Sequence, residues 1–518
     1  MQKRALISVS DKKGIVEFAR RLLELDFEIV STGGTFKKLS ENGIRAKEVS
    51  TITGLPEMLD GMVKTLHPAI HAGILANRDN PQHLAELEKF NINPFDLVVV
   101  NLYPFRNTVS KPDASLEEII ENIDIGGHTL IRASAKNFQN VAIIVNNSDY
   151  STVLSEIEEN GFVSLATRKQ LAKKAFQHTA SYDAYIAEYF SHLCGESLPS
   201  QYTISLPLHT TLRYGENPHQ RAGFYTEDHI ITHLHGKQLS FNNFQDIDAA
   251  LRLIYDFSTD EYLNNPTNAI VGILKHSNPC GIAISDSLVE AYKKALATDT
   301  DSPFGGIIVV NRPLDIETAE EVNKIFTELI IAPSFTDEAL IKLKKKKNRR
   351  LIMYNQERLS SLANRWNIRT CLDGLLLQEG DIGYDNPSDW EVVTKRKPSQ
   401  EEMKKLYFAW KTVAHLKSNA ISLCHEDRTI GLGMGQPSRI DAVQIAIAKA
   451  KKYMHSLEGS VLGSDAFFPF RDAVDLIAPY GITALIQPGG SVRDNEVIDA
   501  CNEHGIAMIF TGSRHFRH

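Results

Sequence analysis

Short runs of apolar residues that do not alternate with polar ones recur along this chain, each followed by a stretch of helical periodicity. Ala5-Leu6-Ile7-Ser8-Val9, Glu28-Ile29-Val30, Asp96 through Leu102 and Val141 through Val145 lie in the first third. Asn268-Ala269-Ile270-Val271-Gly272-Ile273-Leu274 lies just past the midpoint. A strand that is apolar on both faces must be covered on both, and crossover helices on a parallel sheet do that. After the first run, Ser10 and Asp11 are placed to cap a helix whose apolar face carries Ile15, Val16, Phe18, Ala19, Leu22 and Leu23. The expected class is therefore α/β, beginning with a doubly wound parallel sheet.

A chain of 518 residues is too long for one core, and length alone suggests three or four domain-sized units. A net charge of -8 argues against a general nucleic-acid or membrane binder, while leaving room for local basic pockets that take small anions. The five cysteines (Cys194, Cys280, Cys371, Cys424, Cys501) never fall in a Cys-x-x-Cys pair, which suits a reducing compartment and gives no zinc signal. The N-terminus enters a strand directly, with no signal-peptide core, and no apolar run nears the roughly 20 residues that span a bilayer. The expectation is a cytoplasmic protein that engages neither nucleic acid nor membrane.

Several stretches carry the residue types of chemistry. Ser31-Thr32-Gly33-Gly34-Thr35 is a small-residue turn opening a helix, where backbone N–H groups can receive a phosphate. Taken alone it is equally a tight turn with a cap. The stretch Gly61 to Gly73 packs Lys64, Thr65, His67 and His71 together. A proline between the two histidines and the lack of a third ligand favour a structural role for them over a metal site. Asp124 precedes a glycine turn and a helix on which Thr129, Arg132 and Lys136 share a face. Lys136 by itself reads as part of a solvated face.

Past the midpoint, Lys275 and His276 follow the apolar run, and Pro279 and Gly281 are expected to end that strand before a helix near Ser287. A cation beside an imidazole can hold a developing oxyanion while the imidazole moves a proton. Alone, such a pair is more often a surface lysine next to a half-buried histidine. Gly195 to Ser200 breaks a long helical run, so the boundary is expected there, giving domains 1–198 and 199–518. Leu274-Lys275-His276-Ser277-Asn278 has a partial echo in Leu416-Lys417-Ser418-Asn419, and Ser302 to Gly306 a fainter one in Ser464 to Pro469, which suggests an internal duplication. The basic run Lys342 through Arg350 reads as a solvated helix end and loop.

Ser8-Val9-Ser10-Asp11-Lys12, the Ser31–Thr35 turn, Val63-Lys64-Thr65-Leu66-His67-Pro68, Asn101-Leu102-Tyr103-Pro104-Phe105 and Asp124 to Asn137 together resemble the inosine monophosphate cyclohydrolase domain of the bifunctional purine-biosynthesis family, which has the methylglyoxal-synthase-like fold. Arg213 to Gln220, Ile273 to Gly281, Gly431 to Arg439, Gly463 to Phe470 and Arg514-His515-Phe516 resemble that family's transformylase domain, a pair of cytidine-deaminase-like subdomains. The resemblance covers essentially the whole chain. It implies formyl transfer from 10-formyltetrahydrofolate to aminoimidazole carboxamide ribonucleotide, then dehydrative ring closure to inosine monophosphate, in a homodimer that needs no metal.

For the first step the resemblance implies His276 as base, with Lys275 and Asn419 at the oxyanion. Arg213, Tyr214, His219, Arg439, Asp465, Arg514 and Phe516 would contact substrate, and Phe304 and Phe467 would wall the flat rings. For the second step it implies Lys64, Tyr103, Asp124 and Lys136 around the reacting groups. Ser10, Lys12, Ser31, Thr32, Gly33, Gly34, Thr35 and Thr65 would hold the ribose phosphate. A zinc nucleoside deaminase, suggested by His276 and Pro279-Cys280-Gly281, lacks the required His-x-Glu and Pro-Cys-x-x-Cys. A non-catalytic nucleotide sensor is the other alternative, since a phosphate turn alone would serve one.

Overall fold

The computed structural model describes residues 2–56, 58, 59, 63–260, 263, 268–363, 366–381 and 386–518. Gly61 and Met62, the first two residues of the Lys64 stretch, lie outside them. The chain forms two compact units, Met1–Leu206 and Pro207–His518, rather than three or four. The count is lower because the second unit carries a duplicated half on one continuous sheet.

In the first unit the strands are β1 (Lys3–Val9), β2 (Phe27–Ser31), β3 (Lys47–Glu48), β4 (Leu97–Asn101) and β5 (Ala142–Ile144). They pair in the order β3, β2, β1, β4, β5, all parallel. The order reverses beside β1: the chain builds outward to β3, then crosses back to β4. Loops after β1 and β4 therefore flank a crevice at the C-terminal edge, where such sheets receive ligands. The helix Ile15–Glu24 buries Ile15, Phe18, Ala19 and Leu22 as its periodicity predicts. Its start differs from expectation. Gly14, at φ 73°, takes the cap position without a side-chain bond, and Ser10 and Asp11 are drawn away to Asn101. The helix Leu165–Leu193 covers the other face, burying Leu171, Ala172 and Ala175.

The second unit opens with a hairpin of β6 (Leu208–Leu212) and β7 (Ala222–Tyr225). Its main sheet holds β8 (Ile231–His235), β9 (Ala269–Lys275), β10 (Asn278–Ser285), β11 (Gly306–Val310), β12 (Thr327–Ala332) and β13 (Arg350–Tyr354). A separate exposed hairpin, β14 (Asn367–Cys371) with β15 (Gly374–Gln378), follows. The main sheet resumes with β16 (Glu391–Val392), β17 (Ile421–His425), β18 (Arg428–Gly433), β19 (Val461–Ser464), β20 (Ala484–Gln487) and β21 (Ala507–Phe510).

Outward from the central β10–β18 pair, one side runs β10, β9, β11, β12, β13, β8 and the other β18, β17, β19, β20, β21, β16. The directions match as well: a hairpin, an antiparallel step, two parallel steps and an antiparallel edge. The duplication is thus a repeat of topology, and it does not follow the sequence echoes. Lys275-His276-Ser277 stands at the C-terminal end of β9, whereas Lys417-Ser418-Asn419 precedes β17, the strand that matches β9. The basic run also departs from expectation at its end. Arg349 and Arg350 are buried, Arg349 donating to Asn323 and the Thr327 carbonyl, and Arg350 to Glu328.

Candidate active sites

In the first unit the loops at the C-terminal edge are tied by one residue the motif reading passed over. Asn101, the last residue of β4, accepts from the amides of Ser10 (2.6 Å) and Asp11 (2.9 Å) and donates to the Asp11 carbonyl. That holds the loop after β1 open beside the start of the helix Gly33–Glu41. The Lys12 ammonium bonds the Ser10 carbonyl at 3.2 Å and lies against Gly34. A cation therefore stands at a helix N-terminus whose first N–H groups have no intrahelical acceptor, a cradle for an anion.

The turn hydroxyls play a different part from the one expected. Ser31 Oγ donates to the Ile7 carbonyl, and Thr35 Oγ1 bonds both the amide and the carbonyl of Val9. Thr32 Oγ1 meets Ser8 Oγ at 2.7 Å. These buried groups latch β1 to the turn, which leaves the amides of Gly33 and Gly34 and the Lys12 ammonium as the anion donors. Lys64 shares one small cleft with Thr32, Glu48, Val49, Ser50 and Leu55, so the structure brings it to this turn. Thr65 is buried; its carbonyl accepts the His67 amide. His67 caps the helix Pro68–Leu75 by accepting from Ala69, a structural role.

Asp124 stands just before the helix Gly126–Lys136. Burial pushes its carboxyl up from the ordinary range, against the amides of Gly127, Tyr103 and His128 that bond it. The Gly127 amide reaches it at 2.7 Å, and a Cβ on Gly127 would fall 2.8 Å from the carboxylate, so a larger residue there would push the Asp124 side chain from this position. Tyr182 donates to the Asn122 carbonyl and accepts the Asp124 amide, both at 2.8 Å, fixing the loop from the long helix. Tyr103, Asp124 and His128 are thus brought together. Lys136 is not: it is exposed at the far end of the Gly126–Lys136 helix, about 15 Å along the axis at 1.5 Å per residue.

In the second unit Pro279 and Gly281 do not end a strand. The chain turns at His276 and Ser277, at φ 53° and 60°, and returns antiparallel as β10 through both residues. Positive φ at both central positions is the two-residue turn that suits strand twist. Neither residue is glycine or asparagine, so the turn is strained, as backbone at functional sites often is. Pro279 is tolerated because the register shifts at a bulge between it and Gly281. The turn is held from below by Asp246, which accepts the Ser277 amide at 2.7 Å; burial pushes that carboxyl's pKa up. Lys275 Nζ donates to the backbone carbonyl of Phe304 at 2.9 Å, and Phe304 itself is 65% exposed.

Asn419 is brought to the same place. Asn278 Nδ2 donates to the His276 carbonyl, and its Oδ1 accepts from the Lys417 amide at 3.4 Å, spanning the turn and the loop before β17. Asn419 donates to the carbonyls of Gln436 and Pro437, and its Oδ1 accepts from Arg439 Nη2 at 2.7 Å. Arg439 and Asp465, expected to touch substrate, are buried and ion-paired, and Asp465 also accepts the Ala420 amide. In this fold they position Asn419.

The C-terminal tail lies along the same loop: Ser418 and Arg517 exchange bonds of 3.0 and 3.1 Å. That leaves Arg514 exposed with its guanidinium over Phe516, and buries His515 against Trp410. Phe467 is partly exposed beside Asp465. Arg213 and Tyr214 sit in the exposed β6–β7 loop with the guanidinium over the phenol ring, and His219 is exposed there too. Bonds from Asn242 and Gln245 to Glu216 tether that loop to the helix Phe241–Thr259, which also carries Asp246. Asn101, Asn278 and Asp246 were missed because each acts on backbone atoms distant in sequence, although two of them stand inside motifs already singled out. Among the described residues no group of three His, Cys, Asp or Glu is placed to hold a metal, and no helix is long and apolar enough to cross a membrane.

A parallel sheet with an anion cradle, followed by a duplicated mixed sheet bearing a strained Lys–His turn, defines a two-unit enzyme of small-molecule metabolism. The chain belongs to the AICARFT/IMPCHase bienzyme family, whose model matches residues 134–449, and its residues 14–129 match the MGS-like domain. It is similar to the bifunctional purine biosynthesis protein PurH of Persephonella marina, at 50% identity over 532 residues covering all of both chains. The PurH proteins of two Bacillus cereus strains are 48% and 49% identical, again over the full length of each chain. A solved structure, the crystal structure of ForH, aligns over 37% of this chain and 100% of its own at 34% identity and a TM-score of 0.33.

Proposed function

We propose that this chain catalyses the last two steps of inosine monophosphate synthesis. A formyl group passes from 10-formyltetrahydrofolate to aminoimidazole carboxamide ribonucleotide, and the product then closes its second ring with loss of water. The observation that carries the reading is the Asn278 bridge, which places the Lys275–His276 turn beside the loop that presents Asn419. The acceptor amine is a poor nucleophile because its lone pair is delocalised into the imidazole. His276 takes its proton as it attacks the formyl carbon, and Lys275 and Asn419 face the oxygen that gains charge. Arg213, Tyr214, His219 and Arg514 supply contacts to phosphate and carboxamide, while Phe304, Phe467 and Phe516 offer flat apolar surface for rings.

Ring closure is intramolecular, so orientation dominates. We assign it to residues before the break near residue 198, with Lys12, Gly33 and Gly34 on the phosphate. Lys64, Tyr103 and Asp124 face the reacting groups, and burial raises the Asp124 carboxyl above the ordinary carboxylate range, the direction that favours a proton-carrying group. The enzyme works in the cytoplasm without a metal. It acts as a homodimer joined through the second unit. The β14–β15 arm supports this, since it exposes Leu372, Leu375 and Leu376 on a two-stranded hairpin too small to be stable alone.

Supplying the ribonucleotide and the folate donor to the full chain should yield inosine monophosphate. Binding of the nucleotide without turnover would instead identify a sensor. Sedimentation as a monomer with full formyl transfer would remove the dimer.

A further inference from the structure

The edge of the five-stranded sheet opposite the Lys12 cradle holds a second gathering of cations. A cavity of about 260 Å³ there is lined by Lys3, Arg78 and Arg168, by Asp96, and by an apolar wall that includes Phe27 and Phe162. Lys3, Phe27 and Asp96 stand at the starts of β1, β2 and β4, and Arg168 lies in the first turn of the helix Leu165–Leu193. Three cations face one carboxylate, and that carboxylate is engaged: Asp96 Oδ1 accepts from Arg78 at 2.7 Å and Oδ2 from the Arg4 amide at 2.8 Å. The Lys3 ammonium donates to the Gly161 carbonyl.

Arg168 has no such arrangement. Its Nε is buried with no hydrogen-bond partner. Burial pushes the pKa of its guanidinium down, and the charge of Arg78 pushes it the same way. Glu156, the acid at that end of the helix, is committed to Ser164 and Thr167. A buried donor left unpaired is costly, and Arg78 cannot relieve it: its two Nη groups are already held by Asp96 and the Phe95 carbonyl, and its charge repels Arg168, so an anion beside Arg168 is favoured. Arginine forks match the oxygens of a phosphate, and the aromatic wall suits an apolar body.

We propose that this cavity binds a small phosphorylated molecule, its phosphate held by Arg168 beside the Arg78–Asp96 pair and its apolar part laid on the Phe27–Phe162 wall. The site is separate from the cradle. β1 runs from Lys3 to Val9, which sets the two edges about 20 Å apart at a rise of about 3.3 Å per residue.

Equilibrium dialysis of the full chain against labelled inorganic phosphate, at fixed ionic strength, tests this. Arg168→Gln should weaken one phosphate site about ten-fold or more and leave both catalytic rates at parental values. Lys12→Gln should remove a different phosphate site, and Arg168→Lys should retain part of the binding because it keeps the charge and loses the fork. In phosphate-free buffer the Tm of Arg168→Gln should equal or exceed the parent's, since an unpaired buried donor has gone. Unchanged stoichiometry and affinity in Arg168→Gln overturns the proposal. So does a lower phosphate-free Tm, which marks an arginine already satisfied within the fold.

Discussion

The side-chain amide of Asn278 donates to the His276 carbonyl at 2.9 Å, while its oxygen accepts from the amide of Lys417. One residue thus sets the spacing between the proposed base and the loop carrying Asn419. Asn278→Ala should lower kcat for formyl transfer by about 10²-fold, the scale expected when reacting groups shift by an ångström, with ring closure unaffected. Single-turnover kinetics on both reactions reads this, and parental formyl transfer would show that the bridge is dispensable.

The two reactions should separate by mutation. His276→Ala is expected to slow formyl transfer by about 10²–10⁴-fold, the usual contribution of a positioned base, and to leave cyclisation of supplied intermediate intact. Lys64→Ala should do the reverse, so that the formylated intermediate accumulates. Loss of cyclisation in a folded His276→Ala protein contradicts the two-site assignment.

Ser277 takes a left-handed backbone conformation that only glycine adopts freely. Ser277→Gly should stabilise the second unit by about 1 kcal/mol while loosening the turn and lowering formyl transfer. All three tryptophans (Trp366, Trp390, Trp410) lie in that unit, so urea unfolding followed by their fluorescence reports it alone. A destabilised variant would mean that the turn is not strained.

Asp465 holds Arg439, which holds Asn419. Asp465→Asn removes one partner of a buried ion pair, and the expected loss is about 3–5 kcal/mol together with formyl transfer. If the two residues touched substrate instead, KM would rise with stability unchanged, and the unfolding curve distinguishes the two outcomes.

Asp256, on the helix Phe241–Thr259, is buried against Lys411 of the helix Gln400–Ala414 and against His415, which caps that helix at its C-terminus. Burial pushes its carboxyl up, but the His415 and Lys411 contacts outweigh this and hold it at about 2, below the ordinary 3.8. A depressed folded-state value means that the unfolded chain binds the proton more readily. The contribution is therefore complete above about pH 4 and is lost as pH falls toward 2. It amounts to about 2–3 kcal/mol. Asp256→Asn should flatten the stability of the second unit across that window, read by the same tryptophan fluorescence. An unaltered slope would exclude Asp256 as its source.

Local periodicity determined the elements: β1, β2, β4 and β5, the helix Ile15–Glu24 and the long helix Leu165–Leu193 all lie where apolar spacing places them, because the pattern of burial along one element is written within it. The chemical residues were legible for a similar reason, as a lysine beside a histidine or a glycine turn before a helix is visible without neighbours. Tertiary structure alone decided how those pieces meet. The strand that seemed to stop at Pro279 continues because a bulge accommodates the proline in a sheet whose partners come from elsewhere in the sequence. Arg439 and Asp465 look like ligand contacts until packing buries them together, and Lys136 looks adjacent to Asp124 until the helix carries it to the other end. The echo between Lys275 and Lys417 pointed to a true duplication at positions that do not correspond. Strand order and direction depend on long-range pairing, whose side-chain period is the same whichever neighbour is chosen.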